Sequence, residues 1–82
     1  MTQFVASLGD TLIQQGYIVK HCETENVEGW RVFALGQFVA DVWLSPTGLK
    51  MSPPLTPDAR FWWKHLYRVL KTAQMKYKSE QE

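Results

Sequence analysis

The chain has 82 residues, of which 45% are hydrophobic and 21% charged, a composition typical of one small, ordinary globular domain. Its single cysteine, Cys22, excludes an intramolecular disulfide, so that four Trp, four Phe and three Tyr have to supply much of the core. The N-terminus lacks the pattern of a secretion signal and no apolar run is long enough to span a membrane, so we expect a cytoplasmic protein.

The net charge of +1 conceals a polarity along the chain. Six of the nine Lys and Arg residues lie between positions 60 and 78, where there is no acidic residue. The remainder carries three basic residues against eight acidic ones, which gives it a net charge of −5. The sequence therefore predicts an acidic body with a basic C-terminal element.

The N-terminal segment has the hydrophobic spacing of a helix. Apolar residues recur at helical intervals from Phe4 to Leu12 and predict a helix over about residues 2–15. Gly9 weakens this prediction, because glycine is unfavourable in the middle of a helix. Gly16 suits the helix C-terminus, where a left-handed backbone is common.

A strand and a loop are predicted next. Residues 17–22 are mostly β-branched or aromatic and predict a strand, on which His21 and Cys22 point to opposite faces. The acidic segment 23–29 is expected to be a solvated loop. Since no Cys and His spacing supports a zinc site, and no carboxylates are paired for acid–base work, we predict no metal, no cofactor and no catalytic residue.

Two further strands, residues 30–35 and 38–44, flank a turn with two alternatives. A two-residue turn at Gly36-Gln37 suits the turn chemistry of glycine and places Arg31 and Asp41 on opposite faces. A three-residue turn sets Arg31 directly across from Asp41 and is favoured by burial. It would leave one apolar face, consisting of Trp30, Val32, Ala34, Phe38, Ala40, Val42 and Leu44. Both alternatives stay open at this point.

Two aromatic residues fall on the other face of this hairpin in the register favoured by burial. Phe33 and Trp43 are then either covered by helices or exposed, and exposed aromatic side chains on a sheet mark a partner site or a stacking platform. We therefore regard them, together with Phe61, as candidate aromatic contact residues.

The C-terminal third begins with a turn and a stiff connector. Residues 45–48 predict a turn, residues 49–51 a short fourth strand, and the prolines of segment 52–55 a connector. Thr56 is the expected cap of a helix that runs from about residue 57 to residue 76 or a little beyond. The fold class is thus α+β, with the order α-β-β-β(-β)-α and an antiparallel meander sheet packed by an N-terminal and a longer C-terminal helix. Residues 1–78 form this single domain, and residues 79–82 are expected to fray.

Two separate arcs run along the C-terminal helix at 100° per residue. The apolar arc, which is expected to dock on the sheet, consists of Ala59, Trp62, Leu66, Val69, Leu70, Ala73 and Tyr77. The opposite arc, here called the basic stripe, consists of Arg60, Lys64, Arg68, Lys71 and Lys78. Phe61 and Tyr67 border the basic stripe.

The basic stripe is the main functional signal. A face that serves solubility alone usually mixes charge signs, whereas here like charges stand four residues apart and destabilise the helix. Phosphates of a nucleic acid would compensate this repulsion, and Tyr67 would assist by stacking on a base. We therefore predict a non-enzymatic domain that binds nucleic acid through the basic stripe. The alternative is a protein-interaction module that contacts an acidic protein surface or forms a homodimer, through the stripe or the aromatic sheet face.

The predicted element order resembles two known kinds of domain at the level of the fold. Double-stranded-RNA-binding domains and small toxin ribonucleases of the HicA type share the order α-β-β-β-α. The lysine cluster of the RNA-binding domains is echoed by Arg60 and Lys64, whereas the catalytic histidine of the toxins has no match in segment 29–32. The resemblance thus implies binding rather than catalysis.

Overall fold

The computed structural model describes residues 3–24 and 27–81, except for the side chains of residues 24 and 77–81. The predicted α+β order is confirmed, and the fourth strand is present. The elements are α1 (Gln3–Gln14), β1 (Ile18–Thr24), β2 (Val27–Ala34), β3 (Gln37–Ser45), β4 (Gly48–Met51) and α2 (Ala59–Gln81).

The four strands form one antiparallel meander in the order β1-β2-β3-β4. Both helices pack on the same face of this sheet, because side chains of α1, α2 and one strand face share a single buried cluster. Its fully buried members include Leu12, Val32, Val39, Val42 and Leu66. Each large side chain buried there contributes on the order of 1.5–3 kcal/mol to stability. The opposite sheet face, here called the open sheet face, is not covered by either helix.

Helix α1 fits closely against the sheet at Gly9. A Cβ atom at this position would lie 2.5 Å from the indole ring of Trp30, so only glycine allows the approach. The Trp30 indole Nε1 donates a hydrogen bond of 2.8 Å to the Val5 carbonyl oxygen, which fixes the ring against α1. The glycine that weakened the helix prediction therefore has a packing reason.

The end of α1 is a Schellman motif. The Gly16 amide donates to the Ile13 carbonyl at 3.0 Å, and the Tyr17 amide donates to the Leu12 carbonyl at 3.0 Å. Gly16 has a φ of 94°, as this motif requires, and Tyr17 and Leu12 both belong to the core cluster. The predicted role of Gly16 at the helix end is confirmed.

The predicted loop over residues 23–29 is wrong for residues 23–24 and 27–29, which belong to strands, and residues 25–26 lie outside the described part of the chain. Strand β1 continues to Thr24 and β2 already begins at Val27, so that Glu23 pairs with Glu28 across the hairpin. The acidic composition of this segment is typical of a solvated loop, but the backbone pairing of β1 and β2 continues as far as the pair of Thr24 and Val27. Glu23 and Glu28 therefore lie side by side on one face of the sheet.

The turn between β2 and β3 differs from both alternatives. Ala34 pairs with Gln37, and the two turn residues are Leu35 and Gly36, with φ values of 52° and 78°. Positive φ at both central residues is typical of a type I′ turn, whose twist matches that of the strands. The turn was misplaced by one residue because leucine is a poor predictor of a left-handed backbone.

A β-bulge then changes the register of this hairpin. The pairing shifts between Val32 and Phe33, and beyond the shift Arg31 lies directly across from Asp41, as the alternative favoured by burial required. The bulge leaves Val39 and Ala40 together on the helix side, where both are fully buried. The expected position of Phe38 on the apolar face is wrong for the same reason, since Phe38 lies opposite Phe33 on the open sheet face and not in the core.

Helix α2 begins as the sequence indicated. The Ala59 amide donates a 3.2 Å hydrogen bond to Thr56 Oγ1, so Thr56 caps the helix. The helix continues to Gln81, beyond the predicted end near residue 76. The division into a domain of residues 1–78 and a frayed tail of residues 79–82 stays a prediction.

Among the described residues, neither helix combines the length and the apolar character needed to cross a lipid bilayer.

Candidate functional site

The four described side chains of the basic stripe all point to solvent. Arg60, Lys64, Arg68 and Lys71 are exposed, whereas Leu66 and Leu70 on the opposite side of α2 are buried in the core. Lys78 and Tyr77 lie outside the described side chains. The rotation of α2 about its axis therefore places these cations away from the sheet.

These four cations have no acidic partner in the part of the chain that the structure describes. The described carboxylates with a basic partner belong to the sheet, where Arg31 pairs with Asp41 and His21 contacts Glu28. A cation without a neighbouring carboxylate keeps its full attraction for an external anion. These four side chains thus form a row of positive charge that no described carboxylate compensates.

A stacked aromatic pair lies beside the stripe. The rings of Trp63 and Tyr67 have centroids 5.7 Å apart and planes within 11° of parallel. The Lys71 ammonium lies 5.8 Å from the centre of the Tyr67 ring, a cation–π distance. The indole Nε1 of Trp63 donates a 2.6 Å hydrogen bond to the Ser52 carbonyl, which anchors the pair to the connector before α2. Tyr67 remains 46% exposed.

The stacked pair forms one wall of a groove of about 500 Å³ between β4 and α2. Its other lining residues are Leu49, Lys50, Met51, Leu70, Lys71, Gln74 and Met75. Gln74 Oε1 accepts a 3.3 Å hydrogen bond from the Leu49 amide and thereby ties the edge strand to α2. The groove combines an apolar floor with two cations, Lys50 and Lys71.

The remaining predicted aromatic contact residues lie elsewhere. Phe61 is 71% exposed on α2 and touches the ring of Trp62 edge-on, with centroids 5.4 Å apart. Phe33 and Trp43 lie on the open sheet face and are partly exposed, so neither helix covers them. The structure therefore places Tyr67 beside the stripe cations and leaves Phe33 and Trp43 on the far side of the sheet.

The open sheet face carries its own charge pair. Arg31 Nε donates a 3.0 Å hydrogen bond to Asp41 Oδ1, and this bond raises the pKa of the Arg31 guanidinium. The same guanidinium lies 5.7 Å from the centre of the Phe38 ring. Since Asp41 already neutralises Arg31, this pair adds little attraction for an external anion.

Tyr17, which directly precedes β1, contacts His65 of α2. The Tyr17 hydroxyl and Nδ1 of His65 share a hydrogen bond of 2.6 Å, and burial raises the pKa of Tyr17 to about 12. Cys22 lies on the open sheet face, on the other side of the sheet from His65. The Tyr17–His65 contact connects the segment before β1 to α2.

One cluster escaped the sequence interpretation. His21, Glu23 and Glu28 each offer a ligand atom, and these atoms all lie within 4.8 Å of one another. The cluster was missed because segment 23–29 was predicted to be a loop. The signal that reveals it is the alternation of His21 and Glu23 on one strand face, with Glu28 paired across the hairpin.

Comparisons of the chain with family models, with curated proteins and with solved structures found no match.

Proposed function

We propose that this protein binds nucleic acid through the basic stripe of α2, with the Trp63–Tyr67 pair as the adjoining contact for a base. The proposal depends mainly on one observation: four exposed cations follow one helix face without an acidic partner among the described residues. Such a row recognises phosphates by charge and position, and it carries little information about base sequence.

The length of the stripe supports this proposal. Lys71 lies eleven positions after Arg60, which corresponds to about 16 Å of helix at 1.5 Å per residue. Along one nucleic-acid strand, a phosphate recurs about every 3.4 Å of helix axis. The stripe is therefore long enough to accompany about five phosphates, so that all four cations have phosphates within reach.

The groove beside the stripe supports a contact with an unpaired base. Proteins that bind single strands combine a cationic surface with aromatic rings on which bases stack. Tyr67 is partly exposed at the rim of the groove, and Lys50 and Lys71 line its sides. A base at this rim would contact the stacked pair while its phosphates reach the stripe.

The test measures the fluorescence anisotropy of labelled single-stranded RNA, double-stranded RNA and duplex DNA from low to physiological salt. We expect the logarithm of the association constant to fall linearly with the logarithm of the salt concentration. The slope should be about −3, because each of four phosphate contacts contributes about −0.7 to −0.9. The variant Lys64→Glu/Arg68→Glu should lose this binding. The matched control, Lys20→Glu/Lys76→Glu, changes the net charge equally outside the stripe and should retain most of it.

Two results would contradict the proposal. If none of the three probes binds at low salt, the stripe is not a nucleic-acid surface. If both charge-reversal variants weaken binding equally, the interaction reflects net charge and the stripe has no special role.

An acidic protein surface is the second candidate partner, and one observation favours it. Phe61, Tyr67 and Met75 are 71%, 46% and 67% exposed along α2, and aromatic residues, Met and Arg are enriched at protein interfaces. Poly-L-glutamate is the discriminating probe. Binding of this polymer at physiological salt, without binding of any nucleic acid, would select the protein-partner alternative.

A further inference from the structure

The β1–β2 hairpin brings one imidazole and two carboxylates to the same place. His21 Nε2 lies 3.1 Å from Glu28 Oε2, and a carboxylate oxygen of Glu23 completes a set of three ligand atoms within 4.8 Å of one another. From this geometry we propose that His21, Glu23 and Glu28 form a binding site for a divalent transition-metal ion of the Zn²⁺ class. The site is separate from the basic stripe, and the inference does not depend on the proposed function.

The antiparallel register assembles the three ligands. Glu23 and Glu28 are direct cross-strand partners, and His21 precedes Glu23 by two residues on β1. Side chains two residues apart on a strand share a face, and paired residues of neighbouring strands have Cβ atoms about 5 Å apart. The backbone ladder therefore fixes the relative positions of the three side chains, which a loop would not do.

The histidine ring is positioned by the core. It meets the Trp30 ring edge-on, with centroids 5.3 Å apart, and Trp30 is itself held by its hydrogen bond to the Val5 carbonyl. Contact of this kind limits the rotation of the imidazole and directs Nε2 towards Glu28. The side chains of His21 and Glu28 are 32% and 18% exposed, so the site lies at the boundary between core and solvent.

The charge of the cluster favours a divalent cation. Two glutamates directly opposite each other on neighbouring strands repel. A divalent ion bound between them offsets the repulsion of both carboxylates at once. Metal binding is thus expected to stabilise the hairpin as well as the site.

The donor set selects the class of metal. One imidazole nitrogen and two carboxylate oxygens suit Zn²⁺ and its neighbours in the first transition series, whereas Mg²⁺ and Ca²⁺ prefer oxygen ligands alone. Bond lengths of about 2.0–2.2 Å bring the donor atoms of a tetrahedral site to about 3.4 Å from one another. His21 and Glu28 already meet this spacing, and rotation of the exposed Glu23 side chain brings in the third ligand. With three protein ligands, a fourth position remains for water.

The chain contains only two histidines, so NMR can report on each one separately. We would titrate untagged, ¹⁵N-labelled protein with Zn²⁺ and follow the ring nitrogens of His21 and His65 in long-range ¹H–¹⁵N spectra. We expect a large shift of His21 Nε2 and no comparable shift of His65, whose Nδ1 is engaged by Tyr17. Mg²⁺ at equal concentration should leave both rings unchanged.

Variants of the carboxylates decide whether three ligands act together. Glu23→Gln and Glu28→Gln should each weaken Zn²⁺ binding by about tenfold or more. Removal of a residue that only hydrogen-bonds to a metal ligand already costs about tenfold in affinity, and a ligand itself should cost at least as much. Asp10→Asn removes an exposed carboxylate from α1 and is the matched control, with unchanged affinity expected. Circular dichroism of each variant checks that the fold is retained.

Three results would overturn the inference. The first is that the ring nitrogens of His21 do not shift at millimolar Zn²⁺. The second is that those of His65 shift together with those of His21. The third is that His21 shifts at the same Zn²⁺ concentration in Glu23→Gln, Glu28→Gln and the original protein. Binding would then involve a single histidine and not a three-ligand site.

Discussion

Replacement of Gly9 by alanine tests how closely α1 approaches the sheet. Taken alone, α1 would gain about 1 kcal/mol from the change, because alanine is the better helix former. In the folded protein, however, the new Cβ would lie 2.5 Å and 2.8 Å from two ring atoms of Trp30, where ordinary contacts are 3.4–4 Å. We therefore expect Gly9→Ala to destabilise the protein.

The magnitude follows from the contacts of Trp30. Overpacking of a well-filled site costs about 1–3 kcal/mol. A shift of the indole also weakens its 2.8 Å hydrogen bond to the Val5 carbonyl, which adds about 1 kcal/mol. After subtraction of the helix-propensity gain, the free energy of unfolding should fall by about 1–3 kcal/mol. Urea denaturation followed by circular dichroism measures this difference.

A double-mutant cycle makes the explanation refutable. Phenylalanine at position 30 lacks the outer indole ring that faces Gly9, so Trp30→Phe removes the collision while it lowers stability by itself. In the Trp30→Phe background, Gly9→Ala should stabilise the protein by up to about 1 kcal/mol. If Gly9→Ala changes stability equally in both backgrounds, the close approach of α1 to Trp30 is not the reason for the glycine.

Two further predictions concern the turn after β2 and the contact between Tyr17 and α2. Leu35 is 84% exposed and has a φ of 52°, a left-handed conformation that asparagine adopts more readily than leucine. Leu35→Asn should therefore raise the free energy of unfolding by up to about 1 kcal/mol, measured by urea denaturation with Gln37→Asn as the control. For Tyr17, the pKa in the folded state is raised from 10.0 to about 12, so the folded state holds its proton where the unfolded state has lost it. The stability that this provides is complete below pH 10 and is lost as the pH rises from 10 towards 12. Denaturation between pH 9 and 12 should show a smaller loss of stability for Tyr17→Phe than for the original protein, and equal losses would contradict this assignment.

The features that sequence predicted well depend on local periodicity. The apolar arc of α2 follows from a 3.6-residue repeat, and Leu66 and Leu70 are buried as that repeat required. Thr56 and Gly16 were identifiable because capping chemistry involves neighbouring residues only. Such signals need no knowledge of the rest of the fold.

The features that sequence missed depend on pairing between strands. Val39 gives no local sign that it bulges, since the bulge is selected by the burial of both Val39 and Ala40 against the helices. Likewise, nothing local in Glu23 or Glu28 reveals that they face each other. The spacing of His21 and Glu23 brings two of the ligands to one strand face, but the position of Glu28 beside them follows only from the register of the hairpin, and for this reason composition and spacing did not reveal the three-residue site.

The open sheet face and the basic stripe both combine cations with aromatic rings, and the pairing of their charges distinguishes them. On the sheet, Arg31 is held by Asp41 at 3.0 Å, which leaves Lys20 and Lys50 as the cations without a carboxylate partner among the described residues. Within the described part of the chain, α2 presents four cations without a carboxylate partner on one side, and the sequence has no acid between residues 60 and 78. Because a polyanion responds to the summed potential and not to single contacts, α2 is the surface on which we propose that it binds. For this reason the charge-reversal pair is placed at Lys64 and Arg68, where a loss of binding identifies the surface as well as the interaction.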